Sequence, residues 1–125
     1  MRQALSSNAA PQPIGPYSQA IRAAGFIFVS GQGSVNPKTQ EIIPGDISAQ
    51  TETTLENISG LLHAVGSSLR DVIRCTVYLK NMDDFGRMNE VYGRYFTNEP
   101  PARSTVEVAR LPKDLLVEID VIALG

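Results

Sequence analysis

The sequence predicts a single α+β domain spanning residues 1–125, a mixed β-sheet with two helices on one face. Three observations carry this. The chain has 125 residues, enough for one core and one domain. Two segments repeat apolar residues at spacings of three and four. Several others alternate apolar and polar residues with a period of two. The order ββ(β)αβαββ makes one sheet covered by helices on a single face the economical arrangement.

Residues 1–16 are rich in Ser, Asn, Gln and Pro and read as an irregular arm. Residues 18–23 and 26–30 are short β-prone runs, and Ala24-Gly25 between them predicts a hairpin turn. Residues 31–45 read as a loop with at most a short strand over 41–43. The spacing of Ile47, Thr51, Thr54, Leu55, Ile58, Leu61, Leu62 and Val65 predicts a helix over 46–65, with Asp46 as N-cap and Gly66 as stop. Residues 72–80 alternate as a strand, Ile73, Cys75, Val77 and Leu79 facing one way and Arg74, Thr76, Tyr78 and Lys80 the other. Asp83 or Asp84 is expected to cap a second helix carrying Phe85, Met88, Val91, Tyr92, Tyr95 and Phe96, which Pro100-Pro101 forbids from continuing. In a strand over 102–109, Arg103, Thr105 and Glu107 oppose Ser104, Val106 and Val108. In the last strand, over 115–124, Leu115, Val117, Ile119, Val121 and Ala123 oppose Leu116, Glu118, Asp120, Ile122 and Leu124.

Composition narrows the function. The formal net charge is −2, and the 11 Lys and Arg form no run, which disfavours a dominant phosphate-binding role. The single cysteine rules out an internal disulfide and suits a reducing compartment. The first residues lack the basic-then-apolar pattern of a signal peptide, and no apolar run approaches a membrane span. A soluble, cytoplasmic protein is expected.

The helices can cover only one face of the sheet. The other is expected to carry Tyr78, Leu116, Ile122 and Leu124 together with Arg103, Glu118 and Asp120. So apolar a face predicts a partner surface, and a second copy of the chain is the simplest partner. Polar groups within such an interface need mutual satisfaction or a ligand. Arg103 can take a carboxylate through two parallel hydrogen bonds, or form an ion pair with Glu118 or Glu107. Glu118 is either the other half of that pair or a general base. An adjacent Arg would lower its pKa and keep it ionised.

Other motifs carry less. Asp84-Phe85-Gly86 is a kinase-type tripeptide in a chain too short for a kinase. Ser30-Gly31-Gln32-Gly33 can present N–H groups to an anion but lacks a full nucleotide-binding pattern. His63, the only histidine, has no evident catalytic partner, and Cys75 falls on the apolar face of its strand. No zinc-type ligand spacing exists, and a Ser-His-Asp or Cys-His mechanism is excluded. Tyr17, after Gly15-Pro16, is either a lid over a pocket or an aromatic packed beneath the arm.

Five segments together carry a resemblance. They are Gly15-Pro16-Tyr17-Ser18-Gln19-Ala20, Val29-Ser30-Gly31-Gln32, Gly45-Asp46-Ile47 leading to Gln50-Thr51 and Asn57-Ile58, the block from Pro101 to Asp114, and Val117-Glu118-Ile119. The set closely resembles the Rid family of reactive-intermediate/imine deaminases, also called YjgF or L-PSP, from about Asn8 to Ala123. The resemblance implies a chorismate-mutase-like fold and a homotrimer whose sheets form a central barrel, with sites in the clefts between subunits. It implies hydrolysis of 2-imino or enamine acids, such as 2-iminopropanoate and 2-iminobutanoate, to 2-oxo acids and ammonia. These substrates are released by pyridoxal-phosphate enzymes such as threonine or serine dehydratase, and the protein itself needs no cofactor. Arg103 matches the carboxylate anchor and Glu118 the water-activating acid; Tyr17, Ser30, Gly31, Asn89 and Thr105 match positions lining the pocket. Many members have Cys where this chain has Thr105, which removes a thiol from the site.

The implied chemistry needs only positioning and acid–base help, worth about 10²–10⁴-fold. On this reading Arg103 and Glu118 are expected close together without pairing tightly. Two other classes stand beside it: a single-stranded RNA endonuclease that inhibits translation, against which the acidic charge argues, and a non-catalytic module that binds a small carboxylate.

Overall fold

The computed structural model describes all 125 residues, Met1–Gly125. Six strands form one mixed sheet in the order β1-β2-β3-β6-β4-β5. They are β1 (Gln3–Leu5), β2 (Ala20–Ala23), β3 (Phe26–Gln32), β4 (Val72–Leu79), β5 (Ala102–Glu107) and β6 (Val117–Leu124), with α1 (Ile47–Ala64) and α2 (Phe85–Tyr95) between them. All pairings are antiparallel except β4 with β5, which α2 joins as a crossover. The core lies between the sheet and the helices, where Leu55, Ile58, Leu61 and Leu62 of α1 and Met88 of α2 meet Ile27, Cys75, Val77, Val117, Ile119 and Val121.

Local chemistry explains the boundaries. Asp46 accepts from the Ala49 amide at 3.0 Å and starts α1. At its end Gly66 adopts φ +85°, and the amides of Gly66 and Ser67 close onto the carbonyls of His63 and Leu62, the paired bonds that a left-handed residue permits. Between β2 and β3, Ala24 and Gly25 both have positive φ (52° and 83°), the turn whose twist matches a two-residue hairpin.

Several expectations are corrected. The N-terminal arm contributes a strand, β1, paired with β2; three residues at a sheet edge leave no periodic signal. No strand forms over 41–43, only an isolated Val35–Ile42 bridge. Neither Asp83 nor Asp84 caps α2 through its side chain. Instead Asn81 accepts from the Asp83 amide and caps the 3₁₀ turn that enters the helix. A register shift between Val72 and Arg74 turns Ile73 outward, 40% exposed, and puts Val72 in the core. Leu116 packs against the core rather than on the open face.

Candidate active site

The two faces of the sheet are assigned by register. Glu118 lies between Val117 and Ile119, both fully buried, and therefore points to the helix-free face, opposite Tyr78 of β4. Arg103 pairs with Cys75 and Thr105 with Val77 in the parallel β4–β5 ladder. Cys75 and Val77 are buried beneath the helices, so Arg103 and Thr105 point to the helix side. The expectation that Arg103 and Glu118 share a face is thus overturned within one chain. On the edge strand β5 neither set of alternating residues is fully buried, so alternation alone does not reveal which set faces inward.

On the helix side, the Arg103 guanidinium lies over the Tyr92 ring at 4.7 Å and the Phe85 ring at 5.6 Å. Asn89 falls four residues after Phe85 and three before Tyr92, on the same face of α2. The chain's two ion pairs are Arg87–Asp46 and Arg110–Asp114, so Arg103 has no carboxylate partner. Three buried side-chain atoms in this region have no hydrogen-bond partner: Asn89 Oδ1, Tyr92 Oη and Thr105 Oγ1. Orphaned polar atoms are costly to bury, and one of them belongs to Tyr92, whose ring the Arg103 guanidinium covers. Burial holds the Tyr92 hydroxyl well above its ordinary pKa and pushes the Cys75 thiol up to about 11, so neither ionises near neutral pH.

On the other side, a cleft of about 380 Å³ holds Tyr17, Ser30, Gly31 and Glu118, with Ile14, Gln32, Lys113 and Leu115 among its walls. A bulge between Val29 and Gln32 interrupts the β3–β6 ladder and sets Ser30 and Gly31 beside Glu118. A Cβ at Gly31 would collide with the Glu118 carboxylate, so glycine there lets the acid lie flat against the backbone. Ser30 Oγ donates to the Ser18 carbonyl at 2.7 Å, and the half-exposed Tyr17 hydroxyl accepts from the Ile14 amide at 3.4 Å. Glu118 itself takes part in no ion pair. Burial raises its pKa, and the charge of Asp120 raises it further. The expected lowering by an adjacent Arg does not occur, because Arg103 is on the far side of the sheet. No three His, Cys, Asp or Glu side chains converge as metal ligands.

The seven residues singled out in the sequence therefore fall into two groups, Arg103, Asn89 and Thr105 on one side of the sheet and Tyr17, Ser30, Gly31 and Glu118 on the other. A family model described as endoribonuclease L-PSP matches residues 7–125. The chain belongs to this family. It is 57% identical to the RutC family protein PH0854 of Pyrococcus horikoshii over 123 residues, covering 98% of each chain. It is 42% identical to the 2-iminobutanoate/2-iminopropanoate deaminase of Escherichia coli, over 99% of this chain and 98% of that one. Its fold superimposes on the crystal structure of E. coli TdcF with bound serine at a TM-score of 0.92, with 40% identity and 98% of each chain covered. Among L-PSP family members, then, some are named as imine deaminases and others only by family.

Sequence reasoning missed Phe85 and Tyr92 as neighbours of Arg103, since both fit the apolar stripe of α2. The available signal was a polar Asn89 set between two aromatics on one helical face.

Proposed function

We propose that this L-PSP family chain hydrolyses 2-imino and enamine acids, including 2-iminopropanoate and 2-iminobutanoate, to 2-oxo acids and ammonia. Each site is shared between two copies of the chain. The observation that carries the proposal is the pair of half-sites: a guanidinium without a carboxylate partner, set against Tyr92 and Phe85, and a raised-pKa carboxylate in a cleft, on opposite faces of one sheet. One copy cannot bring both to one small substrate, but adjacent copies can. The helix-free face supports such an assembly. Phe28, Val106 and Leu124 on strands of that sheet are 43%, 41% and 50% exposed, more apolar surface than a solvated sheet face needs. A closed homotrimer, sheets inward, would cover them.

The chemistry follows from the residues. Arg103 takes the substrate carboxylate in a two-pronged hydrogen-bonded pair, leaving the protonated imine carbon exposed to attack. Asn89 and Thr105 supply polar atoms that the ligand can satisfy. From the neighbouring copy, Glu118 accepts a proton from water as the water adds to C2. The carbinolamine then expels ammonia, leaving the 2-oxo acid. A carboxylate whose pKa is raised toward neutrality is a better base than an ordinary glutamate, which is the use of the burial around Glu118. The names of the E. coli deaminase and of the serine-bound TdcF agree with a site for small amino-acid-like carboxylates. The family model's endoribonuclease description points elsewhere, but a net charge of −2 gives RNA little to bind.

The test is complementation. Arg103→Ala and Glu118→Gln are each expected to abolish acceleration of pyruvate formation from 2-aminoacrylate generated in situ by a dehydratase. Mixing the two variants through unfolding and reassembly should restore about one quarter of wild-type activity, the share of interfaces that combine an intact Arg103 with an intact Glu118. No restoration in properly reassembled mixtures would exclude the shared site, and unaccelerated turnover by the wild type would exclude the activity.

A further inference from the structure

We propose that Phe85 and Tyr92 are positioning residues for carboxylate binding, holding the Arg103 guanidinium through their rings so that its hydrogen-bonding fork stays free for the ligand. The inference rests on the proposed role of Arg103 as carboxylate anchor and adds what orders it. A mobile arginine loses binding energy to side-chain entropy each time it closes on a ligand. The usual remedy, a neighbouring carboxylate, would order the side chain but occupy the donors that the ligand needs, and Arg103 has no such neighbour. An aromatic ring attracts a cation through its face and takes none of the in-plane N–H bonds. Two rings flank Arg103 here, Tyr92 at 4.7 Å and Phe85 at 5.6 Å.

The two rings differ in what else they do. Tyr92 belongs to the core and packs against Phe96 at 4.6 Å between ring centroids, the rings tilted by 41°, so the support is itself held in place. Phe85 lies outside the core cluster and is 39% exposed. Its ring contacts the Arg103 guanidinium. Phe85 belongs to the Asp84-Phe85-Gly86 tripeptide, whose kinase-like appearance is accidental. In this fold the same phenylalanine opens α2 at the level of the β5 arginine.

The test measures binding of pyruvate, a stable 2-oxo acid, by calorimetric or NMR titration of the intact protein, alongside turnover of 2-aminoacrylate. Phe85→Leu, which keeps the size and apolarity but loses the ring face, should weaken pyruvate binding and raise KM about fivefold, the scale of a partly exposed cation–π contact, with kcat changed less than twofold. Phe85→Tyr should recover most of that loss. Tyr92→Leu should weaken binding at least as much, and if it fails to fold, the Phe85 pair still decides. Pyruvate binding by Phe85→Leu equal to wild type, while Arg103→Ala binds none, would overturn this inference alone. Undiminished binding by Arg103→Ala would overturn the anchor role itself, and with it this inference.

Discussion

Gly31→Ala is expected to leave the fold intact while crippling the reaction. Gly31 does not occupy the left-handed region, so its backbone conformation is open to alanine. The added Cβ would have atoms of the Glu118 side chain as its three nearest neighbours. It would stand 2.7 Å from Cδ and 3.0 Å from Cγ, and closer still to Oε2. Restoring ordinary carbon–carbon contact moves the carboxylate by about an ångström, which a glutamate achieves by rotating its side chain with little cost in stability. A displacement of that size in a catalytic group costs about 10²-fold in rate. The variant should therefore melt close to the wild type, bind pyruvate comparably through Arg103, and lose about two orders of magnitude in kcat for 2-aminoacrylate hydrolysis. In a Glu118→Ala background the same substitution should have little further effect, because the side chain it displaces is gone. A Gly31→Ala protein that is folded and turns over within twofold of wild type would refute the placement of Glu118 at the reacting carbon.

The acid limb of the kcat/KM–pH profile should fall at higher pH than for an ordinary glutamate. Burial is the main cause and Asp120 the lesser, so Asp120→Asn should move the limb to lower pH without returning it fully. The same shift has a cost in stability. A carboxyl group with a raised folded-state pKa binds more protons folded than unfolded as pH rises past the unfolded value, so stability falls there. Glu118→Gln should raise the melting temperature at neutral pH, and the gain should vanish below the ordinary carboxyl pKa. Asn57 donates to the carbonyls of Gly33 and Val35 at 3.2 and 2.8 Å and ties the cleft-wall segment to α1. Asn57→Ala leaves the Val35 carbonyl unpaired, while the Gly33 carbonyl keeps its bond from the Val35 amide, and should cost about 1–3 kcal/mol in denaturant unfolding, with reduced turnover. Ala24→Gly relieves a left-handed alanine (φ 52°) in the β2–β3 turn and should stabilise the protein by about 0.5–1 kcal/mol.

Much of this protein was legible in one dimension. The α1 stripe, its Asp46 cap and Gly66 stop, the hairpin at Ala24-Gly25 and the alternation of β6 are all local, and the structure shows each. Their signals depend on periodicity and on single-residue chemistry, which do not require knowing what packs against them. What escaped was non-local or too short to be periodic. β1 exists only because β2 offers it an edge. The outward turn of Ile73 comes from a shift against β6, a strand more than forty residues away. The bulge that brings Ser30 and Gly31 to Glu118 is likewise a mismatch between two strands.

The site shows the same division. Residue types in the sequence made Arg103 and Glu118 candidates beside an ion-pair reading, and the family resemblance favoured the site, since a planar cation and a strand carboxylate among apolar neighbours each carry their chemistry locally. Alternation also gave the parity of each residue within its own strand. It could not relate the parity of one strand to that of another, because a period of two is unchanged when a whole strand is turned over. For β6 burial broke that symmetry, every second residue being apolar and inward. For the edge strand β5 it did not, and only the parallel register that sets Cys75 beside Arg103 placed the arginine under α2, between two aromatic rings and away from Glu118. That one choice of face, made by tertiary pairing, sets an apparent neighbour pair on opposite sides of the sheet.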